Sequence, residues 1–578
     1  MTSPGPQHRP CGPKIQTFRE NFRDSLRLNI EYFRRTSPET CILKSSTGKL
    51  NPETLRPPIL EGPYDLAVIG GGINGTAIAR DAALRGKSVI LLEKGDFAEG
   101  TSSRSSKMVH GGVRYLEQLR FGLVYESLRE RHLLLNLAPH LVRPQAFVLP
   151  IYKGFRRSPR IIRLGLFLYD LLAIGRRPGK SRFLSPEEVL ERVPSLLADG
   201  LQGGGLYYDC VMDDARLTLA NAMAISQESC SRPGATQVRN YTEVQHVEPG
   251  SPASVRLLDH VTGRESRILA HRVVRALGPW TEPEHLIPSK GVHLILPSFP
   301  MKEGLLLTHS ADGRVFFLLP WLGRAVVGTT ETAFNGSPES LRVEPAEVDY
   351  LLREVKRLFP GLKLDSRDIL GTYAGVRPLA AAHGALRSAA AGTVSRVHRI
   401  VDEGGVVSVF GGKFTTYRSV AKHVVDHLFP GTTCSTHRLP LPGGEDGPWE
   451  DFRRRYNPSL ADHEPGEIER LYRRYGSRVC DVLSLVNDNP TLGEKIVEGQ
   501  PEIRAEVLYA LKNEFLIYPQ DFLQRRTTMR YTEDSGRSAY DTVESLIRTH
   551  SPVVPQDLDQ ARERYFSELQ WEDHLRGE

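Results

Sequence analysis

Cysteine is scarce in this chain of 578 residues. There are six (Cys11, Cys41, Cys210, Cys230, Cys434 and Cys480), none in a C-x-x-C pair and none beside a histidine cluster at ligand spacing. That scatter argues against a disulfide framework or a zinc site and favours a reducing compartment. A calcium loop of the D-x-D-x-D-G type is missing as well. Long apolar runs are also missing. The nearest, Ile161–Ile174, is interrupted by Arg163 and Asp170 and falls short of the roughly 18 residues a membrane-crossing helix needs. Its flanks carry Arg156, Arg157, Arg160, Arg176 and Arg177. Two readings follow: a buried helix with solvated ends, or a helix lying in a membrane interface. Charge of one sign is in small excess, 75 Lys+Arg against 69 Asp+Glu, a net +6. That is no dedicated nucleic-acid binder, but it suits an anionic substrate or membrane surface. No signal-peptide core opens the chain. Phe18, Phe22, Leu26, Ile30 and Phe33 recur at helical spacing instead, and Glu20, Asp24 and Glu31 argue against an acid-poor transit peptide.

What is present centres on Tyr64–Tyr115. The apolar run Leu66–Ile69 leads into Gly70, Gly72 and Gly75, a G-x-G-x-x-G, and then a helical pattern. The first glycine lets the chain turn, the second lets backbone approach a pyrophosphate, and the third lets helix pack on strand. A second apolar run, Ser88–Leu92, ends at Glu93, 23 residues after Gly70, where a ribose-hydroxyl acceptor belongs. The motif therefore sits in its required strand–turn–helix–strand context and predicts dinucleotide binding.

The remaining pattern predicts a multidomain chain, as the length demands. Phe121–Leu137 reads as a helix and Arg182–Gly205 as a polar, turn-rich stretch. Asp209, Asp213 and Asp214 form an acid cluster, in which Asp213 and Asp214 precede a periodic helix and suit its N-terminus better than a metal site. Val255–Leu269 and Arg272–Ala276 read as strands, the latter entering Gly278-Pro279-Trp280. Gly291–Pro297, Gly304–His309, Arg314–Leu319 and Arg324–Thr330 suggest an inserted antiparallel sheet. Thr372–Leu379 and Val406–Gly411 are further strands, the last running into Gly411-Gly412-Lys413. After Leu439 the spacing becomes helical throughout.

The run IGGGINGTAIARDAALRGKSVILLEKGDFAEGTSSRSSKMVHGGVRYLE closely resembles the start of FAD-dependent glycerol-3-phosphate dehydrogenases. GLYYDCVMDDARLTLANA, KGVHLILP, FFLLPWLGRAVVGTTE, TYAGVRPL, VSRVHRI, VFGGKFTTYR and EVLYALKNEFLIYPQDFLQRRT resemble the same family in the same order. Residues 1–60 lie outside the likeness. The chain departs from the family pattern at Leu277, Val292 and Glu331.

The resemblance implies an α/β fold: a Rossmann-like FAD-binding domain interleaved with a mixed or antiparallel-sheet substrate domain over residues 61–439. An N-terminal extension (1–60) and an all-helical domain (440–578) flank it. The resemblance further implies oxidation of sn-glycerol 3-phosphate to dihydroxyacetone phosphate, with electrons passed to membrane quinone. Peripheral or monotopic contact with a bacterial or mitochondrial inner membrane, and a homodimer, are arrangements it allows. Two competitors remain: an oxidase that uses oxygen, and a flavin-binding protein without turnover.

Carried onto this sequence, the family segments place Gly70, Gly72, Gly75, Glu93, Ser102, Ser103, Ser106, Lys107, His110, Gly111, Gly112, Gly278, Gly411 and Gly412 at the cofactor. They place Arg114, Tyr115, Arg377 and Arg396 at the substrate, where guanidinium forks suit a phosphate dianion. His293 is the leading base or orienter, with Lys413 as its rival or as electrostatic support beside the flavin.

Overall fold

Two apolar strands, Tyr64–Ile69 and Val89–Leu92, form the centre of the first sheet. In a computed structural model that describes residues 56–154, 158–231, 236–310, 312–380, 398–456, 463–552, 555 and 557–577, this sheet has a continuous spatial order. It runs Arg399–Glu403, Val406–Phe410, Arg264–Arg275, Tyr64–Ile69, Val89–Leu92, Thr236–Arg239. All pairs are parallel except the first, a hairpin. Leu66, Val68, Val89 and Leu91 are fully buried, as strands covered on both faces must be. Helix Ile73–Leu84 packs there against Asp214–Ser231 and Tyr417–Leu428. The expected N-terminal helix falls outside the described residues.

The single strand expected over Val255–Leu269 is two. Ala253–Asp259 and Arg264–Arg275 pair antiparallel, with the turn at 260–263. The apolar residues on either side of that turn merged into one run in the sequence. Thr242–Glu248 adds a third strand.

The second sheet has ten strands built around Leu286–Pro297, which pairs antiparallel with Arg324–Gly328 on one side and Gly371–Ala380 on the other. It is mixed, because Gly304–Thr308 runs parallel to Val142–Tyr152. Arg182–Gly205 is more ordered than its polarity suggests. It holds a short strand Arg182–Leu184, a helix Pro186–Arg192 capped by Ser185, and the start of the strand Leu201–Met212. The three glycines 203–205 obscured that strand. They are buried against Phe183, Val189 and Leu166, which leave no room for side chains.

The helix at Pro159–Leu172 is neither wholly buried nor wholly solvated. Ile162, Leu166 and Tyr169 face the core, while Ile161, Leu164, Phe167 and Leu171 are about half or more exposed, at 55%, 58%, 64% and 49%.

From Trp449 on, the structure is helical, with its own core of Leu471, Val482, Val507, Phe522, Tyr540 and Leu569 among others. Buried ion pairs fasten it to the sheets. Asp96 takes Arg525 Nε at 2.5 Å and Arg526 Nη2 at 2.9 Å, and Arg216 grips Glu514 at 2.6 Å. Glu572, held by Arg530 at 2.9 Å within the helical part, accepts the Thr372 N–H of the second sheet at 3.1 Å.

Candidate functional site

Strand Tyr64–Ile69 ends at Gly70, whose φ of +109° turns the chain. A methyl group there would sit 2.5 Å from the Ala276 carbonyl oxygen, and one at Gly75 would sit 1.8 Å from that of Gly70. Strand and helix therefore touch backbone to backbone. Ser102 Oγ accepts the Ile73 N–H at 2.9 Å, so it caps the helix that the glycines start. At the end of the neighbouring strand, Glu93 accepts the N–H groups of Gly71 at 2.5 Å and Gly95 at 2.9 Å. Burial raises its carboxyl pKa, and those two bonds oppose the rise. Each carboxylate oxygen keeps a lone pair for a hydroxyl donor.

A second constellation comes from the ladder between Leu286–Pro297 and Gly371–Ala380. Its register pairs Ser289 with Arg377, Gly291 with Gly375, and His293 with Tyr373. Residues two apart share a face, so these six project together. Arg377 lies across Gly291, its Nη2 donating to Thr329 Oγ1 at 2.8 Å. His293 stacks on Tyr373 with ring centroids 4.8 Å apart, and its Nε2 lies 2.9 Å from Ser106 Oγ. Burial, then the charges of Arg377 and Lys107, push the His293 pKa well below its ordinary value, so the ring is neutral at physiological pH.

A third element is the glycine turn after Val406–Phe410. Gly411 and Gly412 take φ of +71° and +92°, and the Gly411 carbonyl accepts Asn74 Nδ2 at 3.3 Å. Lys413 follows, its Nζ 3.8 Å above the Tyr115 ring.

These three elements line one cavity of about 1160 Å³. Roughly 300–1,000 Å³ is usual for a small-molecule site, so the space suits a dinucleotide with a second ligand beside it. Gly70, Gly72, Glu93 and Ser102 line one part of it, along with Gly278. Ser106, His110, Gly112, Arg114, Tyr115, His293, Arg377, Gly411, Gly412 and Lys413 line the rest. The donors and the close-packed glycines fit a flavin dinucleotide.

Four of the predicted cofactor residues do not line the cavity. Gly75 is turned to the strand. Lys107 is buried and paired with Asp214 at 2.7 Å, and it also donates to the Ser103 carbonyl at 2.6 Å. Gly111 faces Leu128 and Tyr169. Lys107 and the Ser103 carbonyl hold together the loop that borders the cavity. Arg396 lies outside the described residues. Asp209 binds Arg131 at 2.7 Å, while Asp213 and Asp214 accept helix N–H groups. Among the described residues no metal-holding group occurs.

Sequence reasoning missed Thr329, Arg104 and the C-terminal residues Gln524, Arg525 and Arg564, which also line the cavity. No local motif marks them.

Comparison with known proteins agrees with this geometry. Residues 65–426 match the family model described as FAD dependent oxidoreductase, and residues 434–551 match the C-terminal domain of alpha-glycerophosphate oxidase. The chain is 34% identical over 552 residues to a glycerol-3-phosphate dehydrogenase of Synechocystis sp., covering 89% of this chain and 98% of that protein. It is 33% identical over 498 residues to the aerobic glycerol-3-phosphate dehydrogenase of Staphylococcus aureus, covering 81% and 87%. Among solved structures, the FAD complex of the glycerol-3-phosphate dehydrogenase from Bacillus halodurans superposes with a TM-score of 0.70 at 28% identity, covering 89% of this chain and 95% of that one.

Proposed function

Because the chain belongs to the FAD-dependent glycerol-3-phosphate dehydrogenase family, within the FAD-dependent oxidoreductases, we propose that it oxidises sn-glycerol 3-phosphate to dihydroxyacetone phosphate and hands the electrons to a membrane quinone. One observation carries the reading: a fork-bearing Arg377 and a neutral His293 project from the same face of one ladder into the cavity that the glycine turns line. The spacing suits a short substrate with an anionic group at one end and a reacting hydroxyl at the other.

The bound flavin supplies the hydride acceptor. Arg377, oriented by Thr329, offers its fork to the phosphate, and Arg114 and Lys413 add positive charge at the same cavity. His293 holds a lone pair for the proton that leaves the hydroxyl as the ketone forms. A base of depressed pKa suffices there, since the oxygen becomes strongly acidic as hydride departs. Lys413 steadies negative charge that develops beside it.

The acceptor reading rests on a surface. Ile161, Leu164, Phe167, Leu171 and Ile174 are joined by Leu119, Phe121 and Tyr125 in exposing large apolar area, with Arg160, Arg163 and Arg177 exposed among them. Among the described residues no helix is long and apolar enough to cross a membrane. The face matches a helix lying in the lipid interface, arginines at headgroup level. Met108, Tyr207, Leu306 and Phe317 line the cavity and pack in, or against, the same apolar cluster as Ile162, Leu166 and Tyr169. An apolar lobe shared by the cavity and the exposed face supports the arrival there of a lipid-soluble acceptor.

Anaerobic mixing of the FAD-loaded enzyme with glycerol 3-phosphate is expected to bleach the flavin absorbance; an intact flavoprotein that keeps its colour would sink the substrate assignment. Quinone reduction without peroxide under air separates dehydrogenase from oxidase. Leu164→Glu with Phe167→Glu should weaken co-sedimentation with anionic liposomes at least tenfold, from about 1.5–3 kcal/mol per apolar side chain. Anaerobic bleaching should be unchanged. Equal liposome binding would remove this face from the membrane reading.

A further inference from the structure

We propose that Ser106 relays the substrate's hydroxyl proton to His293, so that the serine oxygen, and not the imidazole, meets the substrate. The proposal rests on the oxidation of glycerol 3-phosphate argued above.

His293 is boxed in. The residue is 2% exposed, one face of its ring is covered by Tyr373, and a methyl group at Gly328 would lie 2.2 Å from Cδ2. Nδ1 is sealed and has no hydrogen-bond partner among the described residues. Nε2 lies 2.9 Å from its hydrogen-bond partner among the described residues, Ser106 Oγ. With Nδ1 sealed, the ring takes up a proton at Nε2, beside which Ser106 Oγ stands at the cavity wall. Ser106 lines the cavity and is less buried than the ring behind it.

The loop fixes Ser106 from both sides. Ser105 donates through its N–H (3.1 Å) and its hydroxyl (2.7 Å) to Asp214, the same carboxylate that holds Lys107 at 2.7 Å. The Tyr373 hydroxyl donates to the Ser105 carbonyl at 2.8 Å, so the residue that stacks on His293 also anchors the serine's neighbour. Gly375, next but one along the strand, lets the Arg104 backbone lie close against it. Imidazole, hydroxyl and loop form one preorganised unit.

The ring is neutral, so with hydrogen on Nδ1 it offers the Nε2 lone pair to the Ser106 O–H. As the C2–H electron pair leaves as hydride to the flavin, the substrate O–H bond breaks and C2=O forms. The released proton forms a new O–H bond on Ser106, whose own proton passes to Nε2. Arg377 and Lys107 make the resulting imidazolium unfavourable, so it returns the proton along the same path to solvent once product has left. No alkoxide accumulates.

The test uses the full-length FAD-loaded enzyme mixed anaerobically with glycerol 3-phosphate. Wild type that fails to bleach refutes the substrate reading. Given bleaching, Ser106→Ala should slow it by about a hundredfold or more, the usual worth of acid–base help, with KM within about threefold. Ser106→Thr, which restores a hydroxyl, should recover most of the rate. In the oxidised enzyme without substrate, the ¹⁵N resonance of His293 Nε2 should move in Ser106→Ala and return in Ser106→Thr. If Ser106→Ala loses its flavin, the proton inventory of wild-type bleaching in H₂O/D₂O mixtures decides: a relay gives a bowed curve from two moving protons, direct transfer a straight line. A variant within threefold of wild type, an unmoved Nε2 resonance or a straight inventory each overturns the relay.

Discussion

Arg377→Ala is expected to lower kcat/KM for glycerol 3-phosphate by on the order of a thousandfold. Truncating one partner of a desolvated, hydrogen-bonded charge pair costs roughly 2–5 kcal/mol, and about 4 kcal/mol is a factor near a thousand. The guanidinium is already aimed: Thr329 takes Nη2 at 2.8 Å and Gly291 leaves room beneath it. Little rotamer entropy is therefore spent when a dianion arrives. Arg377→Lys keeps the charge but loses the planar fork, so it should recover only part of the loss. Thr329→Val should cost less, since it loosens the fork without removing it. Steady-state kinetics on variants with unchanged flavin spectra provide the check, and an Arg377→Ala enzyme within tenfold of wild type would take Arg377 out of the substrate site.

The largest stability effect is expected at Asp96. Asp96 and Asp521 face Arg525 and Arg526 in a buried quartet whose formal charges cancel. Burial opposes ionisation of Asp96, but Arg526 and Arg525 overcome it and hold its carboxyl below the usual carboxylate range. Asp96→Ala leaves an unbalanced buried cation, which costs roughly 3–5 kcal/mol. Scanning calorimetry or urea titration should record that loss. Replacing both partners, Asp96→Leu with Arg526→Met, should return much of it, because an apolar pair pays no desolvation. Acid should act in the same direction. Asp96's contribution is full above about pH 4, the ordinary Asp value, and is lost as pH falls through the lower folded value. A double variant no more stable than Asp96→Ala would mean the site cannot repack.

What the sequence made legible was whatever a local rule governs. Gly70, Gly72, Gly75 and Glu93 stand at spacings that strand–turn–helix geometry imposes, and the periodic apolar residues at 468–482 and 503–511 lie on buried helix faces. Long-range registers were not legible. Nothing near Ser106 announces His293, 187 residues away, and nothing near Gln524 announces a cavity wall. The partner of Lys107 was equally hidden, since Asp214 is brought in by a later helix and holds it at 2.7 Å. The sequence reads Val255–Leu269 as one strand and breaks it before Arg272, whereas the true turn, His260–Gly263, is masked by a buried valine, Val261, and Arg264–Arg275 is continuous.

The opposed glycines Gly291 and Gly375 have a bearing on how the protein can change. They are where the guanidinium of one strand and the backbone of a distant loop both lie flat on the sheet. Glycine is already the smallest residue, so a point substitution at either position can only add atoms. It would lift Arg377 or push Arg104, and with Arg104 the serine two residues on. Variation here runs in one direction, and the site can be crowded by mutation but not opened. Drift toward bulkier substrates would have to come through other walls of the cavity, among them those the C-terminal helices supply.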